Sequence, residues 1–121
     1  MGKGLFADVT FTSGVAQATL PYVGFGAAFV DYDNDMDLDL AIANGHIIDN
    51  VHLGRDDTTY EQLNLLLLND SGKFRNVGPI SGKGFAIRKS SRALAIGDLD
   101  NDGDMDIVVA NVGQTPDVLP T

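Results

Sequence analysis

Ten aspartates in two groups of five hold most of the chemistry available to this 121-residue chain. Residues 31–40 read DYDNDMDLDL, and residues 98–107 read DLDNDGDMDI, an offset of 67 positions. Five carboxylates within nine residues repel one another unless a cation neutralises them. Carboxylates at alternate positions of a tight loop are hard oxygen ligands, and Ca²⁺ takes six to eight such oxygens at about 2.3–2.6 Å. The spacing therefore predicts two calcium sites. In the second copy Asp98, Asp100 and Asp102 supply side chains at the first, third and fifth positions. Asp106, at the ninth, closes the shell, and Asp104, at the seventh, offers its backbone carbonyl. Asp31, Asp33, Asp35, Asp39 and Asp37 take the same roles in the first copy. Gly103 permits the sharp turn at the sixth position, where the first copy has Met36. A side chain at positive φ costs about 1–2 kcal/mol, so the first loop is expected to bind more weakly or to be slightly reshaped. Mg²⁺, with its small octahedral shell and retained waters, suits these loops less well. An EF-hand would need a glutamate at the twelfth position and flanking helices; Ile42 and Val109 stand there, inside apolar runs typical of strands.

The net charge of −9 comes from these loops. Removing their ten acids from the total of 17 leaves seven, against eight Lys and Arg, a balance of +1. No basic stripe runs along the chain, which argues against a nucleic-acid partner. The one basic concentration, Arg88, Lys89 and Arg92, reads as a solvated strand edge. With no cysteine there is neither a disulfide framework nor a thiolate metal site. No apolar run is long enough to insert in a membrane as a helix, and residues 1–10 lack the apolar segment of a signal peptide. The hydrophobic content of 44% is enough for a core.

Each acidic loop sits between strand signals, so the repeating element is strand, acidic loop, strand. Gly24 to Val30 and Arg92 to Gly97 alternate bulky and small residues, as expected of strands packed where space is tight. The first unit should have four strands, at about 24–31, 38–44, 63–69 and 73–77. The second should have strands at 91–98 and 105–111 and a short one at 117–119. Leu5 to Thr10 resembles the stretch Lys73 to Val77 and is the candidate for the missing fourth strand. The fold expected is all-β, a single module over 1–121 made of two antiparallel β-propeller blades. Blade one spans about 24–77; blade two spans about 91–121 and is completed by the N-terminal strand 5–10. Residues 45–62 form a long polar connection, a common place for function. Asn69-Asp70-Ser71 is a formal glycosylation sequon on an expected turn.

These residues resemble the FG-GAP/VCBS repeat of integrin-α-type β-propellers. The likeness rests on Gly24-Phe-Gly-Ala-Ala-Phe-Val-Asp-Tyr-Asp-Asn-Asp35, Ala43-Asn-Gly-His46, Asn64-Leu-Leu-Leu-Leu-Asn69 and Ser91-Arg-Ala-Leu-Ala-Ile-Gly-Asp-Leu-Asp-Asn-Asp-Gly103. More narrowly, the chain is similar to relatives of cartilage acidic protein, which pair such repeats with an ASPIC/UnbV domain. The resemblance implies a secreted or cell-surface protein with Ca²⁺ in each loop and a structural or adhesive role without catalysis. Two blades leave sheet faces bare, so the expected partners are further copies or the remaining blades of a longer propeller, with an extracellular protein or glycan as outside ligand. The alternatives are a self-assembling fibre subunit, and a glycan-active enzyme using paired carboxylates.

Overall fold

The computed structural model describes residues 4–46 and 61–120. Among the described residues, seven strands form two antiparallel sheets. The first sheet runs β1 (Gly24–Val30), β2 (Asp39–Asn44), β3 (Leu65–Asp70) and β4 (Lys73–Asn76), in chain order. The second runs β5 (Ser91–Gly97), β6 (Asp106–Asn111) and β7 (Asp117–Leu119). Seven of the eight expected strands are present with ends moved by one or two residues; the expected strand at 5–10 is not. The β3–β4 hairpin closes through Ser71 (φ 53°) and Gly72 (φ 88°). Positive φ at both central residues gives the turn twist that matches antiparallel strands.

The two units share a register, and both first strands are irregular at one place. A bulge separates Gly24 from Gly26 in β1, and another separates Ser91 from Ala93 in β5. The bulged residues, Phe25 and Arg92, meet across the units, with the Arg92 guanidinium 4.2 Å from the Phe25 ring centre. Lys89 pairs with Asp117 at 2.7 Å, both side chains largely covered. Only Arg88 of the basic trio is exposed. The solvated edge expected for all three is thus corrected at Lys89 and Arg92, whose stems and charges are spent joining elements.

The main core lies between the sheets. Val30, Ala41, Ala43 and Leu66 of the first pack with Ile107, Val109 and Leu119 of the second, with Leu94 and Ile96 against them. The strands β1 and β5 approach closely: a side chain at Gly26 would put its Cβ 3.1 Å from the Leu94 backbone nitrogen. This is the tight contact that the small residues of β1 and β5 imply.

A second apolar cluster, Ile42, Leu65 and Leu67, lies on the outer face of the first sheet. A five-residue helix, α1 (Val15–Thr19), helps to cover it through Val15 and Ala18, joined by Tyr22. The N-terminal segment therefore differs from expectation. Residues 5–9 carry no strand, and the chain after them docks on the first sheet, not the second. Phe74 of the edge strand β4 donates its N–H to the Ser13 carbonyl at 2.7 Å. Gly14 (φ 86°) allows this: a Cβ there would lie 2.7 Å from the Phe74 oxygen. The segment thus satisfies an exposed sheet edge and an apolar face at once.

Candidate metal centre

Each acidic loop is built by its own first aspartate. Asp31 Oδ1 accepts the Asp35 N–H and Oδ2 the Met36 N–H, both at 3.0 Å. Asp98 does the same for Asp102 (3.1 Å) and Gly103 (3.0 Å). Asn34 and Asn101 occupy the left-handed region at φ 58° and 62°, where asparagine is tolerated. Met36 (φ 74°) and Gly103 (φ 94°) follow in the same region. The two loops thus have one path, and Met36 adopts the conformation that Gly103 takes at no steric cost.

The last aspartate of each loop is the first residue of a strand and is buried: Asp39 is 0% exposed and Asp106 2%. Asp39 Oδ2 accepts the Tyr32 N–H (3.0 Å) and Oδ1 the Asn69 N–H (2.8 Å), tying the loop to β3. Asp106 Oδ2 accepts the Leu99 N–H (2.9 Å). A buried carboxylate needs such donors, or a cation, to offset lost hydration.

Among the described residues, Asp31, Asp33 and Asp39 bring one carboxylate oxygen each within 4.8 Å of the others, and so do Asp98, Asp100 and Asp106. An ion with Ca–O distances of about 2.3–2.6 Å holds its ligand oxygens at most about 5 Å apart, so both sets fit Ca²⁺. Asp35 and Asp102 lie outside these triads. Asp35 Oδ1 accepts the Asp37 N–H (2.9 Å), and Asp102 Oδ1 accepts the Asp104 N–H (3.0 Å). The side chain of Asp104 is used between the loops, accepting from Asn34 Nδ2 at 2.9 Å. That contact brings both acidic loops to one end of the molecule.

The crowding has an electrostatic signature. Partial removal from water, then a hydrogen bond and repulsion from Asp35 and the charge of Asp39, raise the Asp33 carboxyl above its ordinary range. Asp100 is raised by the same causes, with Asp102 and Asp106 as neighbours. A cation bound among such carboxyls would displace their protons to water, because its charge offsets the repulsion that raises them.

The FG-GAP-like repeat profile matches residues 31–109, well over half of the chain, from the first aspartate of one loop to the strand after the other. The chain belongs to the FG-GAP-like repeat family. The match speaks for the repeat and not for the narrower group that carries ASPIC/UnbV domains. Comparisons with curated proteins and with solved structures give no significant match. No described helix of this FG-GAP-like chain is long and apolar enough to cross a membrane.

Sequence reasoning missed the polar clasp formed by residues at the strand ends away from the loops. Gln62, 1% exposed, accepts the Val23 N–H through Oε1 (2.9 Å) and exchanges backbone hydrogen bonds with Lys89. Asn44 donates to the Leu63 carbonyl (2.9 Å), and Asn111 accepts from Ser91 Oγ (2.7 Å). The sequence signal was the matched pair Ala43-Asn44 and Ala110-Asn111, which follows both β2 and β6 cores. Residues 47–60, with most of the polar connection, lie outside the described residues.

Proposed function

We propose that this chain is a calcium-binding, non-enzymatic structural module of the β-propeller type, working outside the cell and assembling with further blades. The observation that carries this reading is the duplicated carboxylate triad, each with a buried aspartate at the mouth of a strand. Asp31, Asp33 and Asp39 would hold one ion and Asp98, Asp100 and Asp106 the other. Asp35, Asp102 and the backbone around Asp37 and Asp104 are close enough in sequence to complete each shell. A bound Ca²⁺ supplies charge neutralisation and cross-links the loop to the following strand. Because such loops are ordered mainly in the folded chain, binding adds to stability.

The membership in the FG-GAP-like family supports the absence of catalysis and the extracellular setting, both typical of such repeats. The enzyme alternative needs a cleft with paired carboxylates. An open cleft of about 310 Å³ lies beside Tyr32, Lys83, Phe85 and Leu119, and its lining includes no carboxylate. That cleft offers no paired carboxylates for glycoside hydrolysis. The test is thermal unfolding in calcium and in chelator. A midpoint several degrees higher in calcium supports the proposal, and identical midpoints refute it.

A further inference from the structure

The internal repeat shows what belongs on a face that is bare. In the first unit, Gly26, Ala28 and Val30 of β1 share a sheet face with Ala41 and Ala43 of β2. That face is covered: Val30, Ala41 and Ala43 are at most 3% exposed. Its cover is a row of the second unit that includes Leu94, Ile96, Ile107 and Val109. An offset of 67 residues turns the covered face into Ala93, Ala95, Gly97, Val108 and Ala110 of the second unit. There Ala93, Ala95 and Ala110 are exposed, and Val118 of β7, beside Val108, is 55% exposed. The same offset turns the covering row into Ala27, Phe29, Leu40 and Ile42 of the first unit. In that row Ala27 is exposed and Phe29 is 61% exposed.

The bare face of the second unit and the bare β1 half of this row are thus the repeat equivalents of parts of the two halves of the interface inside the chain. They differ from those halves in a compensating way. The open face has Gly97 where its covered counterpart has Val30, and the open row has Phe29 where its buried counterpart has Ile96. A smaller residue on one side stands with a larger one on the other, as close packing requires. In the interface within the chain, β5 lies over β1 and β2. The strand that takes this part at the open row is β1: within the row Ile42 is already covered, with Leu65 and Leu67, by α1, and Leu40 packs against that cluster, while Phe29 and Ala27 stay bare.

We infer that the exposed face of β5–β6–β7 is a docking surface for a second copy of this chain, which presents its β1 row around Phe29. The contact is head-to-tail: each copy uses a different face, and repetition closes a ring or extends a filament. This deepens the assembly part of the proposed function and is independent of its metal part.

The experiment is solution mass by sedimentation over a concentration series, in calcium and in chelator, alongside a separate calcium titration. Phe29→Lys blocks the row and Ala95→Lys blocks the face; both positions are exposed, and far-UV circular dichroism checks the folds. Ala110→Lys is the second face variant, should Ala95→Lys not fold. The wild type is expected at multiples of its 12.8 kDa mass. Each variant alone is expected to lose self-association. An equimolar mixture of the two is expected at twice the chain mass, since one intact face meets one intact row. A wild type that stays monomeric up to about 1 mM, the weak end of specific association, overturns the inference. So does a Phe29→Lys variant that still dimerises, which would mean a symmetric face-to-face contact. Because calcium binding is read separately, failure of assembly leaves the metal proposal standing or falling on its own result.

Discussion

The loops at 31–39 and 98–106 have the same backbone path and different sixth residues, and the difference separates what this acidic turn needs from what it tolerates. Both first aspartates clamp the N–H groups four and five residues on, and both last aspartates are buried where a strand begins. Met36 and Gly103 both have positive φ. The carboxylate frame therefore dictates the turn strongly enough to hold a methionine in a conformation that favours glycine. The cost falls on one loop only, so the two sites should share geometry and differ in stability.

The largest expected effect comes from the buried aspartates. Asp39→Ala leaves the Tyr32 and Asn69 N–H groups without their acceptor, and Asp106→Ala does so for Leu99. Losing such acceptors should cost about 2–4 kcal/mol in urea unfolding at either position. Equal small losses would mean that these carboxylates do not organise the loops. Next comes metal: at a free calcium concentration a hundredfold above Kd, each site should add about 2.7 kcal/mol. Thermal midpoints across a calcium series measure this, and a flat series would count against both loops.

The exchange of sixth residues sharpens the comparison itself. Met36→Gly should stabilise the chain by about 1 kcal/mol, and Gly103→Ala should destabilise it by a similar amount. A Cβ at Gly103 meets nothing within 4 Å, so that cost is one of backbone conformation alone. Equal and opposite shifts in denaturant midpoint would support the shared path, whereas no shift at Met36→Gly would mean that its strain is relieved.

Acidity acts in opposite directions with and without metal. The Asp33 and Asp100 carboxyls are raised above 3.8 in the fold, so each favours the folded state when protonated. That contribution is present below the unfolded pKa and is lost as pH rises through the raised folded value. In chelator, these two groups should thus add stability as pH falls toward 3.8. In calcium, protons compete with the ion, and the calcium-dependent gain should shrink over the same window. Melts at stepped pH, with and without chelator, give both trends. The smallest effect should be that of Asn34→Ala, which removes the exposed bridge to Asp104 and should cost about 0.5 kcal/mol.

Much of this was readable from residue order. Alternation of small and bulky residues placed β1 and β5, and the Asn-Asp-Ser-Gly turn placed the β3–β4 hairpin, because both signals are local. The acidic turns were readable because their carboxylate spacing is written within nine residues. The N-terminal segment was not. Leu5 to Thr10 has strand-like composition, but whether it pairs depends on a free edge elsewhere, and the chain instead meets β4 through Ser13 and Gly14. The helix α1 has only five residues, too few to show a helical period. Gln62 joins Lys89 across sequence that carries no periodic signal, and Arg92 pairs with Phe25 only because two bulges fall in register.

The central claim is that two equivalent loops each take one calcium ion. Calorimetric titration of calcium into chelator-stripped protein tests it most directly, with Asp31→Asn and Asp98→Asn variants run beside the wild type. The account predicts two ions per chain, and one in each variant. Absence of binding, or a stoichiometry unchanged by either substitution, would contradict it.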